Sequence, residues 1–295
     1  MQRPLCLAVD VGGTKIEAGL VDDQGSVIAR ERAFTPHSLD PEAIWGVLGG
    51  LMSSLETKGN GDLVVVGVGC GGPMRSGGEA VSPLNIPAWR GFPLKERITN
   101  LTGLPTVIDN DAKVLALGEH WMGAAKDRSN FMAMVVSTGI GGGIVLNGRL
   151  LDGRLGNAGH VGHVVVEPQG RACACGGRGC LEAEASGSAL ADILGAPASQ
   201  APIELVERTG TLVGRAVATS ANLLDLDLVV VGGSVALGFG GPFFSAARAE
   251  AALRARLDFS AEVRIDPVGL GPTGPLLGAA ALGWQASSEH EVQRL

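Results

Sequence analysis

Three groups of residues have types and spacings suited to chemistry. The first is Asp10-Val11-Gly12-Gly13-Thr14-Lys15, set between two apolar, strand-like runs. Paired glycines let backbone N–H groups approach an anion closely. Thr14 adds a hydroxyl donor and Lys15 a cation, and Asp10 at the strand end is placed to reach a magnesium ion or its waters. The second group, Ser137-Thr138-Gly139-Ile140-Gly141-Gly142-Gly143, reads as another turn between strands. A lone Asp-x-Gly-Gly is as readily an ordinary hairpin bend, but two Gly/Thr bends suit the opposite ends of a triphosphate. Neither is a P-loop, because neither carries Gly-Lys-Ser/Thr and each leads into a strand rather than a helix.

Between these bends lies Asp109-Asn110-Asp111, at a strand end that opens a helix. The carboxyl ends of strands are the usual ligand sites of α/β folds. A kinase needs a carboxylate to take the proton of an attacking hydroxyl and a neighbour to orient the acceptor. Asp111 and Asn110 suit those two roles. Taken alone, Asn110 or Asp111 is better read as the N-cap of the helix. The third group is His163, Cys173, Cys175 and Cys180. Three of the five cysteines fall within eight residues, a density that favours metal over disulfides in a reducing compartment. A Cys3His set closes a tetrahedral zinc site and leaves no position for catalytic water, so the zinc is expected to be structural. Its task is to hold the loop that carries Gly159 to His163 and Glu182. Cys6 and Cys70 sit in apolar runs and read as inert core residues.

The elements that position these groups follow from periodicity and turn residues. Strands are expected at Leu5–Val9, Ile16–Val21 and Ser26–Arg32, forming a meander whose first bend is the glycine-rich turn. A helix is expected over Pro41–Leu55, with Asp40 as N-cap and Pro41 at its first position. A strand at Leu63–Gly69, a helix at Pro93–Leu101, a strand at Pro105–Ile108 and a helix from Ala112 to Trp121 follow. Phe131–Val136 and Ile144–Leu146 flank the second Gly/Thr bend, so strand–bend–strand occurs twice, which suggests internal duplication. A helix near Pro202–Leu224, a buried strand at Leu228–Val231, the turn Gly232-Gly233-Ser234, a helix within Pro242–Leu257 and a last helix from Pro275 complete the pattern. Alternating strands and helices make an α/β protein.

Composition bounds the class. With 295 residues, 45% of them apolar, the chain is long enough for two cores. A net charge of −7 without a long basic run argues against a nucleic-acid partner. No apolar stretch reaches spanning length, and the first ten residues are too short for a secretory signal, so the expectation is a cytoplasmic protein with no membrane partner.

Taken together, these residues resemble the ROK family of sugar kinases and repressors over nearly the whole chain. Asp10 to Lys15 looks like the family's first phosphate motif. Val136 through Gly139, Gly141, Gly143, Gly153 and Gly159 to Gly162-His163 looks like its long signature, and His163 with Cys173-x-Cys175-Gly176-x-x-Gly179-Cys180 looks like its zinc motif. The resemblance implies two ribonuclease-H-like (actin-like, hexokinase-type) α/β domains with a cleft between them: a smaller one over 1–111, onto which a helix at about 276–295 packs back, and a larger one over 112–275 with a zinc loop at 160–182. It implies Asp111 as general base toward a sugar 6-hydroxyl. Gly72, Asn85, Asn110, His160, His163 and Glu182 would contact the sugar, with Glu182 at the anomeric end. Asp10, Gly12, Gly13, Thr14, Lys15, Thr138, Gly139, Gly232 and Gly233 would face ATP and Mg2+. A homodimer is implied as well.

Two features place the chain within the family. Repressors carry a helix-turn-helix before the first phosphate motif, and only nine residues precede Asp10 here, so the kinase branch is expected. The kinases usually have Glu-x-Gly-His, whereas this chain reads His160-Val161-Gly162-His163. Some bacterial N-acetylmannosamine kinases resemble it there and at Val229 to Val235. Neutral imidazole offers a donor and an acceptor where carboxylate only accepts, which alters the hydroxyl or amide pattern preferred. The expected reaction is ATP-dependent phosphorylation of an N-acetylhexosamine, N-acetylmannosamine first. A glucokinase is the alternative within the same chemistry. A non-catalytic sugar sensor and an actin-like ATPase are the alternatives outside it, disfavoured by Asp111, both bends and the zinc loop.

Overall fold

The computed structural model describes residues 3–59 and 61–292, with side chains described to residue 288; the end of the expected last helix, 293–295, lies outside the described residues. The chain divides into two compact units. Unit 1 comprises residues 1–123, 152–158 and 272–295, and unit 2 residues 124–151 and 159–271.

Unit 1 is built on a sheet of order β3-β2-β1-β4-β5. Strand β1 (Pro4–Val11) and β2 (Lys15–Asp22) form the expected hairpin, with Leu7 opposite Leu20 and Asp10 opposite Glu17. Strand β3 (Val27–Phe34) continues the meander. Helix α1 (Pro41–Glu56) starts where Asp40 accepts the Glu42 N–H, a cap worth about 1 kcal/mol. Its buried residues Ile44, Leu48, Met52 and Leu55 recur at helical spacing and pack on the sheet core. Strand β4 (Asp62–Cys70) lies parallel to β1, α2 (Leu94–Thr102) follows, and β5 (Thr106–Asn110) lies parallel to β4. Helix α3 (Asp111–Met122) leaves directly from β5.

Unit 2 repeats this plan, in the order β10-β9-β6-β7-β8. Strands β6 (Phe131–Val136), β7 (Ile140–Leu146) and β8 (Arg149–Leu150) form an antiparallel meander. The short helices α4 (Leu181–Ala185) and α5 (Gly187–Leu194) precede the long α6 (Ile203–Leu224). Strand β9 (Leu228–Gly232) lies parallel to β6, then α7 (Ser234–Phe239) and α8 (Gly241–Arg254) lead to β10 (Arg264–Pro267), parallel to β9. In each sheet a three-strand meander is extended by two parallel strands on the far side of its first strand, the topology that internal duplication predicts. Each unit also encloses its own apolar cluster, around Leu7, Val68 and Trp89 in unit 1 and Met134, Val231 and Phe243 in unit 2.

Helix α9 (Gly274–Val292) returns to unit 1 and packs on β1, β4 and α3. Two glycines permit the approach: a Cβ on Gly67 would lie 1.8 Å from the Ala279 carbonyl, and one on Gly278 2.1 Å from that of Val114. That packing keeps α3 with unit 1. The division therefore falls after Gly123, not after residue 111, and unit 1 also takes in residues 152–158. The second bend is shorter than expected as well. Only Ser137 to Gly139 turn; Gly141, Gly142 and Gly143 lie inside β7, paired with β6.

Candidate active site

The unit 1 residues cluster at the carboxyl ends of β1, β4 and β5. The first bend is closed from within: the Gly12 N–H donates to the Lys15 carbonyl at 3.0 Å, and Thr35 ties down both sides through its N–H to the Thr14 carbonyl and its hydroxyl to the Gly12 carbonyl. The Lys15 ammonium sits 3.0 Å from Glu17, a buried carboxylate that Arg30 also pairs. Gly12 and Lys15 thus take part in the bend's own bonding. Asn85 lies against it, since a Cβ on Gly13 would fall 2.8 Å from the Asn85 side chain. The loop carrying Asn85 is pinned by the Leu84 N–H on the Gly72 carbonyl and by the Arg90 guanidinium on the Pro83 carbonyl. Beneath it Trp89 stacks on Phe92 at 4.4 Å.

At the junction of β5 and α3 both readings of Asn110 hold at once. Its Oδ1 accepts the Ala112 N–H at 3.1 Å, capping α3, while its Nδ2 faces Gly72, where a Cβ would come within 3.1 Å. Asp111 accepts the same N–H at 2.9 Å. Asp109 accepts the Asn110 N–H at 2.7 Å and pairs with buried Lys113, also at 2.7 Å. Burial pushes the Asp109 carboxyl above its ordinary value, and Lys113 opposes that rise. Asp10 is pushed up to about 7, first by burial and then by the charge of Asp111, with Lys15 opposing and Glu17 adding to the rise. Two carboxylates separated by a hundred positions thus share one electrostatic environment. Cys70 between them is buried, and burial raises its thiol well above the ordinary value.

In unit 2 the bend Ser137–Gly139 lies beside the Gly232–Ser234 turn, with the Ser137 and Ser234 hydroxyls 2.9 Å apart. Gly233 has φ of 96°, and a Cβ there would meet the Val136 carbonyl at 2.3 Å, so the two turns meet backbone to backbone. The first amides of α5 complete the frame: the Gly187 and Ser188 N–H groups donate to the Ser137 and Thr138 carbonyls. A pocket of about 460 Å³ opens here, lined by Thr138, Ser188, Ser199 and Ser234 with Val235 and Phe239. It is apolar and hydroxyl-lined.

The loop from Gly159 crosses β7 closely. A Cβ on Gly159 would lie 2.1 Å from the Gly142 carbonyl, and one on Gly142 3.0 Å from Val161. This contact accounts for glycine at position 142. His160 is exposed, and its ring lies near-parallel to that of His163 at 6.2 Å. The imidazole of His163 is held below its ordinary value by burial and then by the neighbouring charge of His160. His163, Cys173, Cys175 and Cys180 offer ligand atoms all within 4.8 Å of one another. Cys173 Sγ is 3.7 Å from His163 Nδ1, and Cys175 Sγ is 3.8 Å from Cys180 Sγ. Cys180 is the N-cap of α4, so the cluster sets the position of Glu182, whose carboxylate accepts the Ile140 N–H beside Gly139.

Sequence reasoning thus named the residues that cluster within each unit. It missed α4 and α5, and with α5 Ser188; nor did it assign Ser199, or Val235 and Phe239 of α7, to the pocket. The Ser186-Gly187-Ser188 step ahead of an apolar pair was a usable N-cap signal; Ser186 does cap α5, accepting the Ala189 N–H.

The ROK family model matches residues 6–286. The chain belongs to the ROK family. It is 38% identical over 250 residues to an N-acetylmannosamine kinase of Citrobacter koseri, covering 79% of this chain and 84% of that one. Its fold matches the ROK hexokinase of Thermus thermophilus with a TM-score of 0.84 and 31% identity, covering 97% of this chain and 99% of the other. A ROK family glucokinase from Streptomyces griseus, solved with glucose and AMPPNP, matches with a TM-score of 0.83 and 29% identity, covering 95% of this chain and 99% of its own. Among the described residues no helix is long and apolar enough to cross a membrane.

Proposed function

We propose that this chain is an ATP-dependent kinase that phosphorylates the 6-hydroxyl of an N-acetylhexosamine, N-acetylmannosamine first. The observation that carries the reading is the junction of β5 and α3. Asn110 there caps the helix while turning its amide toward Gly72, and Asp111 acts electrostatically on Asp10 of the first bend. A base, an acceptor-orienting amide and a cation-binding acid thus belong to one cluster. Asp111 takes the proton as the 6-oxygen attacks the γ-phosphorus; the bond to the bridging oxygen breaks and ADP leaves. Asn110 and Asn85 orient the sugar. Thr138 and the hydroxyl-lined pocket receive the nucleotide.

Asp10 is the residue that would hold Mg2+. Its raised affinity for a proton marks an uncompensated negative site, the kind a divalent cation relieves. The cation supplies charge neutralisation on the phosphates. His163, Cys173, Cys175 and Cys180 would hold zinc. The observed 3.7 and 3.8 Å separations agree with the roughly 3.6–3.8 Å that tetrahedral Zn–N and Zn–S bonds require. A closed set of this kind is structural.

The substrate assignment rests on His160 in place of the usual acid and on the likeness to an enzyme named N-acetylmannosamine kinase. A glucokinase is the second reading, favoured by the fold match to the Streptomyces griseus enzyme. The test is ADP release with ATP and magnesium against N-acetylmannosamine, N-acetylglucosamine and glucose. N-acetylmannosamine should give the highest kcat/KM, and Asp111→Asn should lower kcat by about 10²- to 10⁴-fold without loss of sugar affinity. Sugar-independent release, or none, would overturn the proposal, and a preference for glucose would select the second reading.

A further inference from the structure

Lys113 is a buried cation that the mechanism does not use. Its side chain is 2% exposed, among the largest fully buried groups of the chain. Burying an ammonium is costly unless it is paired, and lysine is rarely buried otherwise. The structure pairs it twice. The ammonium lies 2.7 Å from Asp109 Oδ2 and 2.7 Å from Asp152 Oδ1, and it donates to the Gly156 carbonyl at 3.3 Å. Three oxygens match its three protons. The two carboxylates come from different places. Asp109 is on β5 one residue before Asn110, whose N–H it also accepts. Asp152 begins the only stretch of unit 1 with unit 2 segments on both sides of it in sequence, Asp152–Ala158. Within that stretch the Ala158 N–H closes back on the Asp152 carbonyl and Asn157 reaches the Met74 carbonyl, so it forms a folded strap.

We propose that Lys113 is a positioning residue for the phosphoryl transfer proposed above: one buried ammonium clasps the strap Asp152–Ala158 to the strand end that presents Asn110 and Asp111. The inference rests on that functional reading for its kinetic consequence, though not for the clasp. On the inner side, Lys113 pairs one oxygen of Asp109 while the other accepts the Asn110 backbone N–H. On the outer side, it holds a segment with no strand or helix of its own, which Asn157 also ties to the Met74 carbonyl. The chain between β8 and the His160–His163 turn is thereby anchored on α3.

Arg154 lies exposed inside the strap and provides a direct readout. Trypsin cleavage after Arg154, followed by mass spectrometry on the full chain, reports the clasp whatever the activity. Asp152→Asn should speed that cleavage severalfold, raise the KM for sugar and leave kcat near wild type, because only the outer link is lost. Lys113→Met should speed cleavage as much and also lower kcat about 10- to 100-fold, the scale of a small misplacement of reacting groups. Lys113→Arg should recover most of both effects. If Lys113→Met does not fold, Asp152→Asn carries the test through its cleavage rate and KM. Cleavage and kinetic constants unchanged in Asp152→Asn would overturn the proposal, as would a kcat loss in Lys113→Met that tracks only the fraction of folded protein. Faster cleavage in variants of a protein that phosphorylates no sugar would leave the clasp standing and remove the functional reading.

Discussion

Replacing Gly159 by alanine tests the contact on which the unit 2 site is built. Gly159 has φ of 99°, and its absent Cβ would lie 2.1 Å from the Gly142 carbonyl oxygen. Two costs arise. Holding an alanine in that backbone region costs about 1–3 kcal/mol. The methyl also falls about 0.9 Å short of the 3.0 Å that real Cβ atoms keep, and the atom in the way is backbone inside β7, which no rotamer change relieves. Overpacking of this kind costs about 1–3 kcal/mol more. The sum, about 2–6 kcal/mol, corresponds to a loss of about 6–18 °C in Tm at roughly 3 °C per kcal/mol for a domain of this size. Gly148→Ala is the control, because Gly148 has φ of 73° but nothing within 4 Å of its Cβ position. It carries only the backbone cost, about 1–2 kcal/mol. Thermal unfolding followed by circular dichroism on both variants separates the two costs. Equal Tm losses would refute the claim that the 159–163 loop is pressed against β7. Because the loop leads to His160 and His163, the Gly159 variant should also lose sugar affinity, and the Gly148 variant should not.

Two further outcomes follow from the charges and the thiols. Asp10 binds its proton more tightly in the folded chain, at about 7 against an ordinary 3.8, so its contribution to stability is full below the lower value and is lost as pH rises through the upper one. Asp10→Asn should therefore melt higher than wild type at pH 8 without magnesium, with the gap closing toward pH 4; a gap independent of pH would contradict the assignment. The purified chain should contain about one zinc, and Cys180→Ser should lose it together with several degrees of Tm, since structural zinc contributes directly to folding. Zinc-free protein that melts with the native protein would refute the structural role.

Much of the fold was readable because its signals are local. Asp40-Pro41 marked α1 through cap chemistry, and the apolar runs at Leu5, Leu63, Phe131 and Leu228 marked the inner strands of both sheets. The edge strand β10 carried no such signal: Arg264-Ile265-Asp266-Pro267 has one buried apolar residue and pairs on one side only. The helices α4 and α5 are too short for a periodic pattern, and what holds them is the His163–Cys173–Cys175–Cys180 cluster and the carbonyls of Ser137 and Thr138. The glycines of β7 were misread as turn because clustered glycine is a local turn signal, and the loop that crosses Gly142 comes from 17 residues further on and leaves no local trace.

The sequence by itself determined the duplicated strand–bend–strand plan, the grouping of His163 with three cysteines, and the family, because each depends on residue types at short, regular spacing. Only the tertiary structure decided that Asp10 and Asp111 act on each other's charge, that Lys15 and Gly12 are engaged within the bend, and that Lys113 gathers Asp109 and Asp152. Those outcomes depend on distances between segments far apart in the chain, and on burial, which removes the water that would otherwise screen one charge from the next.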